Sequence, residues 1–429
     1  MASGVPCGRC RVWIVNQYAD APDRPAGTRH FDLARRLIAR GDEVVIFAAG
    51  FSHITHREER LTKGQLYRTQ QFDGVRFVWL RTFPYDGNTW RRQVNMVTFL
   101  FAFLVVQTRL QAPDSVIGST VHPFAALGAW LVARWRGARY LFEVRDLWPQ
   151  TLVDLGAMRV GSPAERLLRG IEAFLVRRAS VVVTLLPGMR DYLRQRGLPS
   201  HHVVYVPNGV DLAAFDAVAL DDGRIPEPVE HVLETIRQRR AEGRFVLGYV
   251  GSFGRVNRLD VLMRAAELAE ARAPGHISLI LVGDGPERAD LQRLSRRGGP
   301  TNVSTSVPKK YVPSILRSFD AAVVHATATP VYRYGISFNK LFDYMAAGRP
   351  VVFACDSAYD PVAAVGAGIS VPPDDPEVVA DAFLELAGTR PEERARMGAA
   401  GREYVVREHD IEHLGDILDA AVRCSPSSG

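Results

Sequence analysis

Cysteine and long apolar runs are scarce in this sequence of 429 residues. The four cysteines, Cys7, Cys10, Cys355 and Cys424, are too few and too scattered for a disulfide framework, so we expect reduced thiols in a cytoplasmic protein. Cys7 and Cys10 lack the second pair that a structural zinc site needs. No apolar run reaches the roughly 18 residues of a membrane span, and no signal peptide is expected.

Several functional signatures are absent as well. The arginines are dispersed through helical patterns without a helix-turn-helix, zinc-finger or RNA-binding signature, so no nucleic-acid partner is expected. The G-x-G-x-x-G fingerprint of dinucleotide-binding proteins is missing, which disfavours a dehydrogenase. No cluster of metal ligands stands out, so neither a metal nor another cofactor is expected.

Basic and acidic residues are distributed unevenly. Residues 1–210 carry 28 Lys and Arg against 16 Asp and Glu, whereas residues 211–429 carry 25 against 31. A basic first half favours contact with anionic lipid or a phosphorylated substrate. Lysine is rare throughout, since only Lys63, Lys309, Lys310 and Lys340 occur, and the last of these lies in a helical pattern that needs explaining.

Short apolar runs alternate with helical patterns along the chain. CRVWIVNQY, DEVVIFAAG, VRFVWLRT and ARYLFEVRDL are typical of buried strands, and TRHFDLARRLIARG has helical spacing. The alternation restarts with RFVLGYVGSFG after a turn-rich stretch between Pro207 and Asp222. This pattern predicts two doubly wound α/β domains, residues 1–208 and 209–410, and a last helix at about 411–422. Because ligands of such sheets bind at the carboxyl ends of the strands, we expect the domains to face a central cleft.

Two glycine turns follow strands of the second domain. VGSFGR carries Gly251, Gly254 and Arg255, and its backbone amides, with the helix N-terminus that follows, suit an anion. LVGDGPE carries Gly283 and Gly285, against which a base or ribose would pack. Either turn is equally consistent with a tight strand–helix connection that binds nothing.

The segment YGISFNKLFDYMAAGRPVV predicts a helix that begins with polar residues. Ser337 is suited to the N-cap position, and Asn339, Lys340 and Asp343 follow within two turns. A lysine at a helix N-terminus predicts a phosphate site, and Asp343 would accept hydrogen bonds from a diol such as ribose. The alternative is a solvated ion pair between Lys340 and Asp343, worth about 0.3–0.5 kcal/mol.

Polar residues also end two strands of the first domain. FEVRDLWPQ carries Glu143, Arg145, Asp146 and Trp148 where a substrate would be met. An Arg–Asp ion pair beside a packed tryptophan is the alternative. STVHPF places His122 directly after another strand, but a single histidine is more often structural, so its position alone leaves a catalytic role open.

Taken in order and spacing, these motifs resemble the retaining family-4 glycosyltransferases, which have the GT-B fold of two facing Rossmann-like domains. The resemblance runs nearly end to end. It is closest to the bacterial branch that builds surface polysaccharides, including fucosaminyltransferase-like proteins. It rests on the motifs AGTRHFDLARRLIARGDEV, FEVRDLWPQT, VPNGVD, GYVGSFG, LVGDGPE and GISFNKLFDYMAAGRPVV.

The resemblance implies a role for each domain. The second domain would bind the nucleotide-sugar donor, with Asp343 on the ribose hydroxyls and Lys340 on the diphosphate. The first domain would meet the acceptor and would carry the last helix packed back on it. The catalytic residues implied are His122, Lys340 and Arg255. The other donor contacts implied are Gly251, Gly254, Gly283, Gly285, Ser337 and Asn339, and the acceptor contacts are Gly27, Arg29, Glu143, Arg145, Asp146 and Trp148.

The sequence departs from the family pattern at two places. Many members carry two glutamates eight positions apart, but the residue eight before Asp343 is Gly335, so the acid that would contact the donor sugar is missing. The family's Arg and Lys pair in the first turn of the second domain is also altered. Arg255 and Arg258 are the candidates to replace it.

The resemblance implies a UDP-sugar donor, carrying an N-acetylated hexosamine or a deoxyhexosamine, and transfer with retention in bacterial glycan synthesis. The apolar segment 94–107 predicts a helix buried in the fold. As an alternative, together with Arg91 and Arg92 it suggests an acceptor on a polyprenyl diphosphate and a peripheral contact with the inner face of the cell membrane. The alternatives are a soluble natural-product acceptor, a UDP-sugar 2-epimerase and a non-catalytic nucleotide-sugar-binding protein. A glycosidase is disfavoured, because no carboxylate pair is suitably placed.

Overall fold

The computed structural model describes residues 8–24, 27–87, 90–120, 122–218, 225–295 and 298–423. The chain divides into two units, residues 1–207 with 411–429 (unit 1) and residues 208–410 (unit 2). Of the cysteines considered above, Cys7 and Cys424 lie outside the described residues.

Unit 1 is built on an eight-stranded sheet in the order β10-β9-β8-β7-β1-β2-β6-β5, beside the separate pair β3-β4. Its strands are β1 (Arg11–Val15), β2 (Glu43–Ala49), β3 (Phe51–Ser52), β4 (Arg57–Glu58), β5 (Tyr67–Phe72), β6 (Val75–Leu80), β7 (Ser115–Ser119), β8 (Arg139–Val144), β9 (Val181–Thr184) and β10 (Val203–Tyr205). Its first helices are α1 (Arg29–Ala39), α2 (Trp90–Val106), α3 (Pro123–Arg136), α4 (Gln150–Asp154), α5 (Pro163–Arg178) and α6 (Met189–Gln195).

Most strands of unit 1 are parallel and buried on both faces, which is why they are continuous apolar runs. In β1, Val12, Trp13, Ile14 and Val15 are at most 1% exposed. The edge strand β5 is different, because it pairs antiparallel with β6 and has an exposed face. Its sequence, YRTQQF, carries too little apolar surface to be recognised as a strand, and the sequence pattern missed it.

Unit 2 has a fully parallel six-stranded sheet in the order β13-β12-β11-β14-β15-β16. Its strands are β11 (Phe245–Ser252), β12 (Ile277–Asp284), β13 (Thr301–Ser304), β14 (Ala321–His325), β15 (Val351–Ala354) and β16 (Gly368–Val371). Its helices are α7 (Leu212–Asp216), α8 (Glu227–Ala241), α9 (Leu259–Arg272), α10 (Arg288–Leu294), α11 (Val312–Ser318), α12 (Asn339–Ala346), α13 (Pro361–Val365), α14 (Pro376–Gly388) and α15 (Pro391–Glu408).

Each sheet has one point where the strand order reverses. In unit 1 the first strand, β1, lies between β2 and β7, and in unit 2 the first strand, β11, lies between β12 and β14. Ligands of open parallel sheets bind outside the carboxyl ends of the strands at such a point. The fold therefore singles out the residues that follow β1 and β7 in unit 1 and those that follow β11 and β14 in unit 2.

The last helix, α16 (Ile411–Arg423), belongs to unit 1 and packs against α1. Arg40, directly after α1, forms an ion pair with Asp416. At the far end of α16, Nη2 of Arg423 lies 2.6 Å from each carboxylate oxygen of Asp42, whose side chain is fully buried. The chain thus closes unit 1 with a segment that follows unit 2 in sequence.

Candidate functional site

The turn after β11 forms one side of the candidate site in unit 2. A short 3-10 helix, Arg255–Asn257, connects β11 to α9. The side chain of Asn257 donates to the carbonyl oxygen of Ser252 at 2.9 Å and closes the turn. Arg255 is exposed at the start of this short helix. It is therefore in a position to meet an anion.

Arg258, the second candidate for the family's altered basic pair, is already engaged. Its guanidinium lies 3.0 Å from Asp260 and 3.4 Å from Asp374. These carboxylates compete with any ligand for its charge. Arg255 is therefore the better placed of the two arginines to reach a phosphate.

The two glycines of the turn after β12, Gly283 and Gly285, are required by backbone packing. A Cβ at Gly283 would lie 1.9 Å from the carbonyl oxygen of Gly251, and one at Gly285 would lie 2.6 Å from that of Phe253. The turn after β12 thus approaches the turn after β11 at a distance that only glycine permits. Around Gly254 nothing lies within 3.6 Å of an added Cβ, so this part of the turn is open. Contact of these glycines with a donor stays a prediction.

Lys340 extends from the first turn of α12 toward β11. Its Nζ donates to Tyr249 Oη at 2.9 Å and to Asn257 Oδ1 at 2.5 Å, and it lies 4.7 Å from the centre of the Tyr249 ring. The Tyr249 hydroxyl donates in turn to the carbonyl oxygen of Ser252 at 2.7 Å. The lysine is held at the carboxyl end of β11, so the alternative of a solvated surface ion pair does not describe it.

The charge of Lys340 has no negative partner among the described residues. Both groups that bind its Nζ are neutral. Burial lowers the pKa of Lys340 from 10.5 to about 7, because desolvation disfavours the ammonium form. An anion bound beside Nζ would restore that form, so the geometry is suited to a phosphate.

The start of α12 corrects the sequence prediction. The N-cap position is Phe338 rather than Ser337, and no side chain caps the helix. Ser337 instead accepts from Asn208 Nδ2, at 2.8 Å through both its hydroxyl and its carbonyl oxygen. The helix begins later than the pattern indicates because this contact keeps Ser337 outside it. Its first amides, beside the exposed Asn339, are left without a side-chain cap, as is typical of a helix terminus that binds an anion.

Gly335, eight residues before Asp343, has a backbone conformation that explains its identity. Its φ is 99° and its ψ is 178°, a region accessible essentially only to glycine. A glutamate here would require the segment before α12 to move. Asp343 is half-buried one turn after Lys340, and its contact with a ribose stays a prediction.

His122 lies at the reversal point of the unit 1 sheet, between β7 and α3. The side chain is 1% exposed, and the rings of Tyr18, Phe99 and Phe124 lie 5.8–6.4 Å away. Neither ring nitrogen has a hydrogen-bond partner among the described residues. Burial, helped by the charge of Arg92, lowers the pKa of His122 to about 3, so the ring is neutral at pH 7. Its two unsatisfied nitrogens are suited to a hydroxyl-bearing ligand.

Arg29 and Glu143, both predicted to contact the acceptor, bind each other inside unit 1. Nε and Nη2 of Arg29 each lie 3.1 Å from Glu143 Oε1, and Arg29 also donates to the carbonyl oxygens of Val206 and Pro207. His30 Nε2 lies 2.6 Å from Glu143 Oε2. Burial raises the pKa of Glu143, but His30 and Arg29 outweigh it and hold the pKa well below its usual range. These buried side chains fasten α1 to β8, so the structure does not support a direct contact with the acceptor.

The other predicted acceptor contacts lie in more open positions. Gly27 and Asp146 are exposed, and Arg145 and Trp148 are half-buried. The backbone amide of Arg145 donates to Thr120 Oγ1 at 3.0 Å, which joins the end of β8 to the end of β7. These four residues stay candidates for an acceptor site in unit 1.

Three contributors to the site of unit 2 were not predicted from sequence. Tyr249 and Asn257 hold Lys340, and Asn208 holds Ser337 in front of α12. A tyrosine in an apolar strand and an asparagine in a turn are ordinary, so no signal distinguished the first two. Asn208 belongs to the motif VPNGVD, and its place in that motif was the available signal.

The described parts of the chain lack two structural features. No group of three or more side chains there could hold a metal ion. None of the helices there is both long and apolar enough to span a bilayer.

The two units match two glycosyltransferase families. Residues 26–209 match the family described as glycosyl transferase 4-like domain, and residues 244–389 match the family described as glycosyl transferases group 1. Together these ranges cover most of the chain. The protein is a glycosyltransferase of the GT-B fold, and the predicted fold class and enzyme class are confirmed.

Its similar proteins are distant in sequence. Over 367 residues the chain is 22% identical to an Escherichia coli protein described as colanic acid biosynthesis glycosyl transferase WcaI, covering 81% of this chain and 84% of the relative. Over 318 residues it is 26% identical to the 2-deoxystreptamine glucosyltransferase of Streptomyces kanamyceticus, covering 68% and 73%. HepE of Anabaena, in complex with UDP and glucose, has a TM-score of 0.65 at 14% identity, covering 96% and 99%. The last likeness shows the fold alone.

Proposed function

We propose that the protein transfers a sugar from a UDP-sugar to a lipid-linked acceptor, with retention of anomeric configuration, in the synthesis of a bacterial surface polysaccharide. The anion site around Lys340 carries the proposal, because glycosyl transfer from such a donor releases a nucleoside diphosphate. UDP in HepE and the description of the E. coli relative as a colanic acid biosynthesis enzyme support the donor and the pathway class.

In this mechanism the site acts on the leaving group. As the bond between the anomeric carbon and the diphosphate oxygen breaks, negative charge develops on that oxygen. The ammonium of Lys340 and the uncapped amides at the start of α12 stabilise this charge. Arg255, exposed on the neighbouring turn, adds a second cation. Lys340 and the helix amides are held in place before the reaction, so they need little reorganisation in the transition state.

Retention follows when the acceptor attacks the face that the diphosphate leaves. The bond from the acceptor oxygen to the anomeric carbon forms as the bond to the diphosphate breaks, and the acceptor proton passes to the departing diphosphate oxygen. Neutral His122 binds a sugar hydroxyl without adding charge. The anomeric configuration of the product, read by NMR, tests the proposal, and an inverted product contradicts it.

The donor sugar is proposed to be an N-acetylated hexosamine or a deoxyhexosamine, as in the fucosaminyltransferase-like branch that the sequence resembles. Gly335 removes a carboxylate that contacts sugar hydroxyls in many relatives, which favours a sugar with fewer free hydroxyls. Thermal stabilisation by a panel of UDP-sugars tests this choice, since a tighter ligand raises the melting temperature more. Stronger stabilisation by UDP-glucose than by every UDP-N-acetylhexosamine or UDP-deoxyhexosamine argues against it.

The pH dependence of UDP binding tests whether Lys340 belongs to the anion site. Its pKa of about 7 in the free protein should rise when a diphosphate binds, because the anion favours the ammonium form. Above pH 7 binding must therefore take up a proton, and the Kd for UDP should rise up to about tenfold per pH unit until the pKa of the complex is reached. Isothermal titration calorimetry between pH 7 and 9 measures this slope.

Two lysine substitutions sharpen that measurement. Lys340→Met should weaken UDP binding at pH 7 and remove most of the pH dependence. Lys63→Met changes an exposed lysine of unit 1 and should leave both unchanged. A Kd of the unmodified protein that does not vary between pH 7 and 9 would show that Lys340 does not bind the diphosphate.

A soluble acceptor is the second candidate, favoured by the similarity to a 2-deoxystreptamine glucosyltransferase. Product formation with polyprenyl-diphosphate sugars and with aminocyclitols, each supplied with the same UDP-sugar, distinguishes the two acceptors. A UDP-sugar 2-epimerase is the remaining alternative. Such an enzyme converts its UDP-sugar in the absence of an acceptor, so a control reaction without acceptor tests for it.

A further inference from the structure

The outer surfaces of α2 and α3 in unit 1 expose large apolar side chains. On α2, Trp90, Phe101 and Val105 are 71%, 61% and 51% exposed, and on α3, Leu131 and Trp135 are 39% and 67% exposed. These five residues form the α2–α3 face. A soluble surface rarely exposes two tryptophans and a phenylalanine together, so the face is expected to meet a partner.

Helical spacing places these side chains in two stripes. Phe101 and Val105 are one turn apart, and Trp90 precedes Phe101 by about three turns, so all three lie on one side of α2. Leu131 and Trp135 are likewise one turn apart on α3. The exposed stripe of α2 extends over about 22 Å at 1.5 Å per residue.

The two helices lie side by side, so their stripes are neighbours. A Cβ added to Gly128 of α3 would lie 2.7 Å from Leu100 Cδ1 of α2, which shows how closely the helices approach. Near their C-terminal ends, Nε of Arg136 donates to Gln107 Oε1 at 2.9 Å. The two helices therefore lie side by side, and each carries its exposed stripe next to the other helix.

The two helices of the α2–α3 face carry basic residues and no acidic ones. Between Asp86 and Glu143 the sequence contains six arginines, and Asp114 is the only acidic residue. Neither α2 nor α3 carries an aspartate or a glutamate. The exposed arginines of this stretch are Arg91, Arg109 and Arg134. An apolar surface with a basic rim is complementary to a layer that is apolar inside and anionic outside.

We propose that the α2–α3 face docks the protein on an anionic lipid bilayer. Trp90 and Trp135 stand at opposite ends of the face, and tryptophan is the side chain enriched at membrane–water interfaces. The arginines meet the headgroups. A second copy of the chain would oppose one arginine-rich surface to another, which disfavours that occupant. The inference rests on the proposed function in one respect, because a lipid-linked acceptor lies at the surface of a bilayer.

Cosedimentation of the full chain with vesicles tests the docking surface without donor or acceptor. Vesicles of phosphatidylcholine with phosphatidylglycerol should bind the protein, and vesicles of phosphatidylcholine alone should bind it at least fivefold more weakly. High salt should weaken binding to the anionic vesicles. Tryptophan fluorescence should shift to shorter wavelength on binding and should be quenched by brominated lipid, because Trp90 and Trp135 enter the interface.

Substitutions on exposed positions separate the apolar and the charged contributions. Trp135→Ser should weaken partitioning about tenfold and Val105→Ser about threefold. Arg134→Gln should weaken it about fivefold, and on anionic vesicles alone. The matched controls are Val406→Ser and Arg396→Gln on the exposed side of α15 in unit 2, and both should partition like the unmodified protein.

Several outcomes would overturn the proposal. No vesicle binding, equal binding to both lipid mixtures, or full binding by Trp135→Ser each contradicts it. Self-association that Val105→Ser abolishes would assign the face to a second copy of the chain instead. A failure here is distinct from a failure of the proposed function, because UDP binding and its pH dependence are measured without vesicles.

Discussion

Glu143 is buried and Lys340 is half-buried, and these two charged residues have opposite surroundings. Glu143 is neutralised by Arg29 and joined to His30, so its charge is used within the fold. Lys340 is held by Tyr249 and Asn257, which fix its position without neutralising it. A buried charge that lacks a counter-ion is costly unless a ligand supplies one. At the residue scale, this contrast separates a side chain that organises the protein from one that can receive an anion.

Gly335 supports a second prediction at the same scale. A side chain at φ 99° and ψ 178° is strained, so Gly335→Ala should lower the free energy of unfolding by about 1–3 kcal/mol. Gly335→Glu, which restores the acid of many relatives, should be at least as destabilising. Denaturant unfolding followed by circular dichroism measures both changes.

The control for Gly335 is Gly388 at the end of α14. Its φ is not positive, and nothing lies within 4 Å of an added Cβ, so Gly388→Ala should not destabilise unit 2. A Gly335→Glu protein that is as stable as the unmodified one would contradict the argument from strain.

At the scale of elements, α16 is a helix whose place in unit 1 depends on specific contacts with a distant part of the chain. It packs on α1, and Arg423 binds Asp42, whose side chain is fully buried and also accepts from the backbone amide of Cys10 at 2.9 Å. Amphipathic spacing alone predicts that such a helix docks somewhere. The Asp42–Arg423 pair is one of the specific contacts that fix where it docks.

Arg423→Ala should therefore weaken the attachment of α16. The substitution leaves the buried Asp42 carboxylate without its counter-ion, and we expect a loss of roughly 3 kcal/mol in unfolding free energy. Hydrogen exchange of the α1 and α16 amides should show faster local opening.

Two further variants make that measurement specific. The double variant Asp42→Asn with Arg423→Ala should recover part of the lost unfolding free energy, because it no longer has the unpaired carboxylate of Asp42. Arg407→Ala removes an exposed pair with Glu408 and should cost less than about 1 kcal/mol. Equal effects of Arg423→Ala and Arg407→Ala would show that the buried pair does not hold α16.

At the scale of the whole molecule, buried neutral histidines make stability depend on pH. Burial lowers the pKa of His122 in unit 1 to about 3, and it lowers the pKa of His325 and His409 in unit 2 to about 4. In the unfolded chain each histidine titrates near pH 6.5. Their contribution to stability is therefore complete above pH 6.5 and is lost as the pH falls toward 4, because only the unfolded chain binds the protons there.

Scanning calorimetry from pH 7 to pH 5 should show a falling melting temperature. Each histidine contributes at most about 1.4 kcal/mol per pH unit in this window. His409→Gln should reduce the slope, whereas the exposed His413→Gln should not. A melting temperature that stays constant over this range is incompatible with three buried neutral histidines.

What the amino-acid sequence determined by itself is the architecture. Parallel strands buried on both faces must be continuous apolar runs, so β1, β2, β11 and β12 were recognisable locally, and their alternation with helices predicted two doubly wound sheets. The polar edge strand β5 lacks that signal and was missed. The motif around Lys340 was also recognisable, because its residues lie close together in sequence.

Only the tertiary structure decided what those motif residues contact. Lys340 meets Tyr249 and Asn257 from 91 and 83 positions away, and Arg29 meets Glu143 from 114 positions away. Spacing along one helix predicts neighbours within a few residues, but it contains no information about partners contributed by other strands and turns. For this reason the sequence identified Lys340 and Arg29 as candidates, and the packing distinguished an available cation from a buried ion pair.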